Sequence, residues 1–260
     1  MFGVERIQKI RDILLVKKHI NVSTLSAILQ VSEVTIRKDL EKLEMEGFIK
    51  KSRGGAILND DMVEQSNILS KPPLPAFWTA EEQTIGNIAA LHVEDGNSIF
   101  LGVGSTCQHV ALSILEKKNV NVVTNDLVIA KILAANRSIS VLVLGGIYYD
   151  DTMSLSGDVA LQYLSGIHVD KAFLSVDGIH LNNGITIARY DQLNIYKYIV
   201  ERADKYFLLA DYTKIGKVSF VKLGDIDFAK TIITNENIPL EYKAYFFDND
   251  IQIFSSYQIV

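Results

Sequence analysis

The sequence contains one cysteine, Cys107, in 260 residues. A single cysteine excludes an internal disulfide, and neither it nor the five histidines show the spacing of a metal site. No run of about 18 apolar residues is present, and the N-terminus MFGVERIQKI lacks the apolar stretch of a secretory signal. We therefore expect a cytoplasmic protein with no membrane segment, no metal and no cofactor.

Positive charge is scarce and unevenly spread. The net charge is −5, yet residues 1–57 carry eleven basic and seven acidic residues, against fifteen basic and twenty-four acidic ones in the remainder. A basic head on an acidic body hints at a nucleic-acid partner, because phosphate attraction acts at the surface that touches the phosphate. A solvated face would show the same excess, so charge alone leaves both alternatives open.

Apolar periodicity in the basic head predicts three short helices followed by two strands. The predicted inward-facing and boundary residues are Ile7, Ile10 and Leu14 in the first helix; Ser23 as N-cap with Leu25, Ile28 and Leu29 in the second; and Ser32 as N-cap, Ile36, Leu40, Leu43 and the terminal Gly47 in the third. FIKKSRGGAIL reads as two strands around a Gly-Gly turn. This order is typical of a winged helix-turn-helix domain.

The third helix is expected to enter the major groove of DNA. Side chains predicted to reach DNA from this helix and the wing are Val34, Thr35, Arg37, Lys38, Lys50, Lys51 and Arg53. Val34 is apolar at an exposed position, and we hypothesise that it contacts a thymine methyl group. The alternative is that Val34 packs on the wing or on the first helix.

The head resembles the DNA-binding domain of the DeoR family of bacterial sugar-operon repressors. The family signature is Ser-x-x-Thr-Ile-Arg-[Arg/Lys]-Asp-Leu and a wing that ends in Gly-Gly-Ala; here the chain reads SEVTIRKDL at 32–40 and GGA at 54–56. The resemblance implies double-stranded operator DNA as the partner and adds Ser32 and Gly54 to the DNA-binding residues. A helical hairpin that serves as a dimer handle is the alternative.

Three of the four prolines, at 72, 73 and 75, lie in LNDDMVEQSNILSKPPLPA, which has no amphipathic period. The composition predicts a semi-rigid linker. We therefore expect a winged helix-turn-helix domain at 1–57, a linker at 58–75 and a sensor and oligomerisation domain at 76–260.

The body alternates between helices and continuous apolar strands. A Thr-x-x-Glu capping box from Thr79 to Glu82 opens the first helix, which is expected to end near His92. Strands such as SIFLGV, VNVVTN, KAFLSV and KYFLLA then predict a mainly parallel α/β sheet covered on both faces. In such sheets ligands bind beyond the carboxyl ends of the strands.

Small and polar residues follow these strands. The segments are Gly102-Val103-Gly104-Ser105-Thr106, Thr124-Asn125-Asp126, Leu144-Gly145-Gly146, Val176-Asp177-Gly178 and residues 210–214. Glycines and hydroxyls at a helix start make an anion site. Together the segments predict a pocket for a small phosphorylated, hydroxyl-rich molecule, although any one of them alone could be a plain tight turn.

The resemblance to the DeoR family extends through LGVGST, VVTND, VLVLGG, DKAFLSVDGI, GIT and LLADYTKIGK. The family's sensor domain is similar to ribose-phosphate isomerase, so the resemblance implies a phosphorylated sugar effector with its phosphate on Gly104, Ser105 and Thr106. The other implied effector-binding residues are Thr124, Asn125, Gly145, Gly146, Asp177, Thr186 and Lys214. A homodimer or homotetramer on a repeated DNA site is expected, since one winged helix makes few contacts.

The chain departs from the family pattern inside this implied pocket. Gly102 stands where the family usually has an aspartate, and Gln192-Leu193 and Tyr196 stand where it has Glu-Ala and a lysine. Arg189 is a candidate for the missing positive charge. A pocket that has drifted and lost its ligand is the alternative.

An isomerase-like body could also be an enzyme, which would need a carboxylate base beside a nearby acid. Asp177 is a candidate base, but Gly102 and Gln192 occupy positions where further carboxylates are expected. We therefore predict no catalytic residue, and a repressor that releases operator DNA when a sugar phosphate binds. A sugar-phosphate isomerase-like enzyme with an appended DNA-binding head is the alternative.

Overall fold

The computed structural model describes residues 3–17, 19–45, 47–52, 54–59 and 79–255, and the chain divides into two compact units, Met1–Lys71 and Pro72–Val260. Most of the predicted linker lies outside the described residues, so the boundaries at 57 and 75 stay predictions. Within the described parts, no helix is long and apolar enough to cross a membrane.

The described residues of the N-terminal unit form three helices and a three-stranded antiparallel sheet. In chain order its elements are α1 (Gly3–Lys17), β1 (His19–Asn21), α2 (Val22–Leu29), α3 (Glu33–Met45), β2 (Ile49–Ser52) and β3 (Gly55–Leu58). The strand order is β1-β3-β2. The predicted winged helix-turn-helix is confirmed, and the short strand β1, which completes the sheet, was not predicted.

Most of the predicted apolar stripe of this unit is buried: Ile10, Leu14, Leu25, Leu29, Ile36, Leu40 and Leu43. The prediction for α2 is wrong in two places. Because β1 runs to Asn21, α2 begins at once with Val22, and Ser23 lies inside the helix instead of capping it. The inward face is then Val22, Leu25 and Leu29, which leaves Ile28 49% exposed.

The C-terminal unit has alternating helices and strands. Its elements are α4 (Ala80–Leu91), β4 (Ser98–Leu101), α5 (Ser105–Ser113), β5 (Asn121–Thr124), α6 (Leu127–Leu133), β6 (Ser140–Val143), β7 (Ile147–Tyr149), β8 (Ser154–Ser156), α7 (Asp158–Leu164), β9 (Val169–Ser175), β10 (Gly178–His180), β11 (Gly184–Ile187), α8 (Tyr190–Val200), β12 (Ala203–Leu209), β13 (Val221–Gly224), β14 (Thr231–Ile233), α9 (Leu240–Asp248) and β15 (Gln252–Phe254). Short 3₁₀ turns lie at Tyr212–Lys214 and Ile226–Phe228.

Seven of these strands form one sheet in the order β15-β14-β12-β9-β4-β5-β6, and every neighbouring pair is parallel. The predicted parallel α/β architecture is confirmed. Two smaller antiparallel sheets, β10-β11-β13 and β7-β8, were not predicted. Their strands are only three or four residues long, so the alternation that would mark them in the sequence is too brief to detect.

Helices cover both faces of the sheet, and strand β9 shows how the two cores are separated. Leu174 packs into one core together with Ile195 of α8. Phe173, the preceding residue, points the other way, into the core that contains Ile88 of α4. Its ring stacks on Phe207 of β12, with centroids 4.9 Å apart. Both faces are therefore closed, and a ligand site has to lie at the ends of the strands.

Candidate DNA-binding surface and effector cavity

The recognition helix α3 presents a row of exposed side chains opposite its buried face. Val34 is 65% exposed, and Arg37 and Lys38 are exposed as well. Val34 therefore does not pack on the wing or on α1, which was the alternative to DNA contact. An apolar side chain is left in water at the start of the helix that faces DNA in this fold.

Two polar contacts organise the first turn of α3. The hydroxyls of Ser32 and Thr35 lie 2.9 Å apart, and the Thr35 amide donates to Ser32 Oγ at 3.3 Å, which confirms the predicted N-cap. Arg37 forms an ion pair with Glu33 at 3.3 Å. Such exposed pairs contribute little to stability, so Arg37 can exchange Glu33 for a DNA phosphate at small cost.

The wing is arranged differently from the expectation. Lys51 Nζ lies 3.5 Å from Glu41 Oε1 and 3.3 Å from Glu44 Oε2, so this side chain is turned toward α3. A phosphate contact by Lys51 would first require it to leave these carboxylates. Gly54 is exposed at the turn of the hairpin, and Arg53 lies outside the described residues.

An ion pair between Arg6 and the buried Asp39 holds α3 on α1, and sequence reasoning missed it. Arg6 Nε donates to Asp39 Oδ2 at 2.5 Å, and Arg6 Nη2 donates to Asp39 Oδ1 at 3.2 Å. Asp39 is 3% exposed. The hydrogen bond to Asp39 raises the pKa of Arg6 above its ordinary value. Asp39, part of the recognition signature, is thus a structural residue that orients the helix.

The C-terminal unit holds a cavity of about 220 Å³ just beyond the carboxyl ends of β4, β9 and β12. Its lining residues are Glu82, Val103, Gly104, Ser105, Thr106, Thr152, Ser175, Val176, Asp177, Ile187, Ala188, Arg189, Gln192, Tyr196, Leu209, Ala210, Asp211 and Lys214. This is the sheet edge at which the sequence predicted a pocket. Within the described parts of the chain, no group of three His, Cys, Asp or Glu side chains is placed to hold a metal ion.

Five of the ten predicted effector-binding residues line this cavity: Gly104, Ser105, Thr106, Asp177 and Lys214. The structure does not bring the other five into the lining: Thr124, Asn125, Gly145, Gly146 and Thr186. For those five, direct contact with an effector stays a prediction.

Three of these five side chains are already engaged in the fold. The Thr124 hydroxyl accepts from the Asp126 amide at 3.1 Å. Asn125 donates its side-chain amide to Gln192 Oε1 at 2.9 Å, and so positions a cavity residue from behind. The Thr186 hydroxyl donates to the backbone of β10 at 3.3 Å. A polar residue at a strand end can turn into the protein as readily as toward a ligand.

The two glycines lie just before the hairpin β7-β8. A Cβ atom at Gly145 would lie in ordinary contact with Val159 and Tyr163 of α7. Gly146 has a φ of +139°, and a Cβ atom there would come within 2.3 Å of the Ser156 carbonyl oxygen. Gly146 therefore permits a close approach of two backbone segments away from the cavity.

The predicted phosphate loop is in place at the start of α5, but carboxylates of the chain occupy two of its donors. The Gly104 amide donates to Asp126 Oδ2 at 3.3 Å, and the Ser105 hydroxyl donates to the Glu82 carboxylate. Asp126 also accepts from Gln108 Nε2 at 3.1 Å. Burial raises the pKa of Asp126.

The cations of the cavity are paired with carboxylates too. Arg189, the candidate for the missing positive charge, does line the cavity, but it is bonded to Asp151 and lies 2.9 Å from Asp191. Lys214 Nζ lies 3.5 Å from Asp211 Oδ2. The cavity is therefore less positive than its two cations suggest.

Sequence reasoning missed the cavity role of Glu82. The predicted capping box is present: the Thr79 amide donates to Glu82 Oε2 at 2.9 Å, and the Glu82 amide donates to Thr79 Oγ1 at 3.2 Å. Nothing local in the sequence says that α4 packs beside α5 and brings Glu82 to Ser105. The other missed residues, Gln192 and Tyr196, were noted only as departures, and both line the cavity.

Comparison with models of protein families decides to which family this chain belongs. Residues 79–236 match the family model of the DeoR C terminal sensor domain, and residues 6–62 match that of the DeoR-like helix-turn-helix domain. The chain belongs to the DeoR family. The resemblance inferred from the recognition helix and the strand-end loops is thereby confirmed.

Full-length relatives of this DeoR-family chain include the HTH-type transcriptional repressor GlcR of Bacillus subtilis, which is 33% identical and aligns over 90% of this chain and 89% of GlcR. An HTH-type transcriptional regulator of the same organism, YulB, is 33% identical over 94% of this chain and 93% of YulB. Among solved structures, ribose 5-phosphate isomerase A from Methanocaldococcus jannaschii overlaps 52% of this chain and 53% of its own, at 19% identity and a TM-score of 0.36.

Proposed function

We propose that this DeoR-family regulator represses a sugar-metabolism operon, binds operator DNA through α3 and the wing, and releases it when a phosphorylated sugar enters the cavity. One observation carries the proposal: a winged helix with an exposed recognition row and a cavity at the strand ends occur in one chain. The two binding events are linked, so each ligand changes the affinity for the other by the same factor.

The proposed DNA contacts come from Ser32, Val34, Thr35, Arg37, Lys38, Lys51, Arg53 and Gly54. A homodimer or homotetramer would place these heads on repeated half-sites. Exposed apolar side chains around β7 and α7 are available for such an assembly: Ile147, Tyr148, Val159 and Tyr163. The proposed location is the cytoplasm, where operator DNA and sugar phosphates meet.

The proposed effector is an anionic sugar derivative. The first amides of α5 have no partner within the helix and favour negative charge, and Ser105 and Thr106 add two hydroxyls at the same point. Asp177 and Lys214 line the opposite part of the cavity and can bond sugar hydroxyls. The relatives are transcriptional regulators by name, which supports regulation, and not catalysis, as the activity.

The cavity contains more carboxylates than the sequence analysis expected, which bears on the enzyme alternative. The sequence argument against catalysis relied on a shortage of carboxylates, yet Glu82 and Asp211 line the cavity beside Asp177. Asp211 is engaged in the fold, because its Oδ1 accepts from the Thr213 amide at 2.8 Å. We propose that the chain is not an enzyme, and turnover of pentose and hexose phosphates by the full chain would contradict this.

The experiment begins by selecting duplexes from a random DNA library with the full chain. The fluorescence anisotropy of the labelled, selected duplex then reports whether phosphorylated sugars or their unphosphorylated parents release it from the protein. We expect one sequence class to be enriched and one phosphorylated compound to release it. The same compound at about 100 times its Kd should stabilise the protein by about 2.7 kcal/mol in thermal unfolding.

A double variant distinguishes the role of the cavity in effector binding from the role of the N-terminal unit in DNA binding. Ser105→Ala with Thr106→Ala should bind the selected duplex normally and no longer release it. Ser165→Ala, which removes a hydroxyl outside the cavity, is the control and should behave like the parent chain. If no duplex is enriched, the DNA-binding proposal is wrong; if the double variant still releases DNA normally, the cavity assignment is wrong.

A further inference from the structure

Within the described residues, the predicted anion site already holds an anion that belongs to the chain itself. Glu82 lines the cavity beside Gly104, Ser105 and Thr106. One oxygen of its carboxylate accepts the Ser105 hydroxyl. A carboxylate at the start of a helix is stabilised by the same amide groups and dipole that would stabilise a phosphate.

The other oxygen of Glu82 holds the beginning of α4. It accepts from the Thr79 amide at 2.9 Å, as one half of the capping box. Thr79 is the first described residue after the segment that joins the two units of the chain. One side chain therefore connects the cavity loop with the first turn of α4.

We propose that Glu82 is a built-in competitor for the anionic group of the effector, and that effector binding displaces its carboxylate and opens the first turn of α4. This inference rests on the proposed function, because it requires an anionic effector at the loop. In this proposal Glu82 sets the affinity of the cavity for anions. Its displacement also transmits to Thr79 the fact that the cavity is occupied.

Electrostatics supplies the reason for displacement. Two negative groups at hydrogen-bond distance from one hydroxyl repel each other, and the two cations among the described lining residues, Arg189 and Lys214, are already paired with aspartates. A bound phosphate and the Glu82 carboxylate therefore cannot share Ser105. Once Glu82 leaves, the Thr79 amide loses its acceptor as well.

The opening is confined to the first turn because the rest of α4 is anchored on α5. A Cβ atom at Gly86 would lie 2.5 Å from His109 Cβ, so the two helices are in close contact at that point. The Ser113 hydroxyl donates to Asn87 Oδ1 at 2.7 Å. The moving part is thus limited to about residues 79–82.

Inorganic phosphate is the probe, titrated calorimetrically into the full chain at constant ionic strength. Glu82→Gln keeps the side-chain length and the capping residue type but removes the charge. We expect it to bind phosphate at least about tenfold more tightly than the parent chain, because one repulsive contact between like charges is removed. Glu81→Gln removes a charge from the neighbouring residue, which does not line this cavity, and should bind phosphate like the parent.

Equal phosphate affinity of the parent and Glu82→Gln overturns the proposal. No phosphate binding by any of the three proteins overturns it together with the loop assignment, while selection of DNA by the head is unaffected and is judged separately. Hydrogen exchange provides the second readout: phosphate should accelerate exchange of the Thr79 amide in the parent and leave it unchanged in Glu82→Gln. An unchanged Thr79 amide in the phosphate-bound parent excludes the transmission step.

Discussion

The phenol oxygen of Tyr196 stands 2.6 Å from the point at which any side chain at residue 102 would place its Cβ atom. The two departures from the family pattern are therefore one structural feature: Tyr196 fills the space that a residue larger than Gly102 would need. Tyr196 lines the cavity, and burial raises its pKa well above the usual value for tyrosine. A neutral phenol thus replaces charged groups at this wall.

The pair makes a prediction for stability. Gly102→Ala should destabilise the C-terminal unit by about 1–3 kcal/mol, because the added methyl group overpacks against the Tyr196 ring. Combining it with Tyr196→Phe should recover part of this loss, since the nearest contact is removed. Chemical unfolding of the single and double variants gives the coupling energy.

The control for this double-mutant comparison is Gly166→Ala, at a position where an added Cβ atom would have no neighbouring atom within 4 Å. It should leave the unfolding free energy nearly unchanged. Strictly additive effects of Gly102→Ala and Tyr196→Phe would show that the two positions are independent, contrary to the structure.

The ion pair of Arg6 and Asp39 predicts a selective loss of stability in the N-terminal unit. Asp39→Asn removes the buried carboxylate that accepts two hydrogen bonds from Arg6, which should cost about 1–3 kcal/mol. Native-state hydrogen exchange of the α3 amides reports this local loss. Glu33→Gln, which removes an exposed ion pair with Arg37, should change protection by less than about 0.5 kcal/mol; equal effects of both variants would contradict the assignment.

The exposure of Val34 makes its proposed DNA contact testable without a change in folding. Val34→Ala should weaken binding to the selected duplex by about 1 kcal/mol and relax the preference at one base pair, because a thymine methyl contact is lost. Affinity for random duplex should stay the same. Met45→Ala, an exposed apolar residue at the far end of α3, is the control. Equal weakening on selected and random duplexes would exclude base-specific contact.

A partly buried histidine predicts a pH effect on stability. His92 packs on Phe207 and Phe254, with ring centroids 4.8 Å and 4.4 Å away, and burial together with Lys205 and Lys171 lowers its pKa. The unfolded chain, with an ordinary histidine pKa of about 6.5, binds the proton more readily, so stability falls as the pH falls through and below that value.

His92→Phe removes this titration. The melting temperature of the parent should therefore drop more steeply than that of His92→Phe between pH 7 and pH 5.5. Parallel slopes for the parent and His92→Phe would show that His92 does not contribute.

Local patterns were sufficient for part of the site. Ser32 and the stripe of Ile36, Leu40 and Leu43 located the recognition helix, because capping and helical periodicity depend on neighbours within a few residues. Gly104 and Ser105 were found because a strand that runs directly into a helix forces a loop with free amides.

The same patterns failed where a side chain had a choice of direction. Thr124 ends a strand and Asn125 follows it, yet both turn into the protein: Thr124 bonds to the Asp126 amide, and Asn125 bonds to Gln192, which comes much later in the chain. Glu82 was predicted as a cap, and its second contact depends on the packing of α4 against α5. Distant contacts of this kind leave no periodic signal in the sequence.

By itself, the sequence determined the two-part organisation, the winged helix, the parallel sheet and the edge of that sheet at which a cavity forms. These follow from hydrophobic periodicity and from turn and capping residues, which act over short distances. Only the tertiary structure decided which polar side chains face the cavity, that its cations are neutralised, and that Tyr196 closes over Gly102. Those outcomes depend on atoms that meet from segments far apart in the chain, and their fit is set by packing in three dimensions.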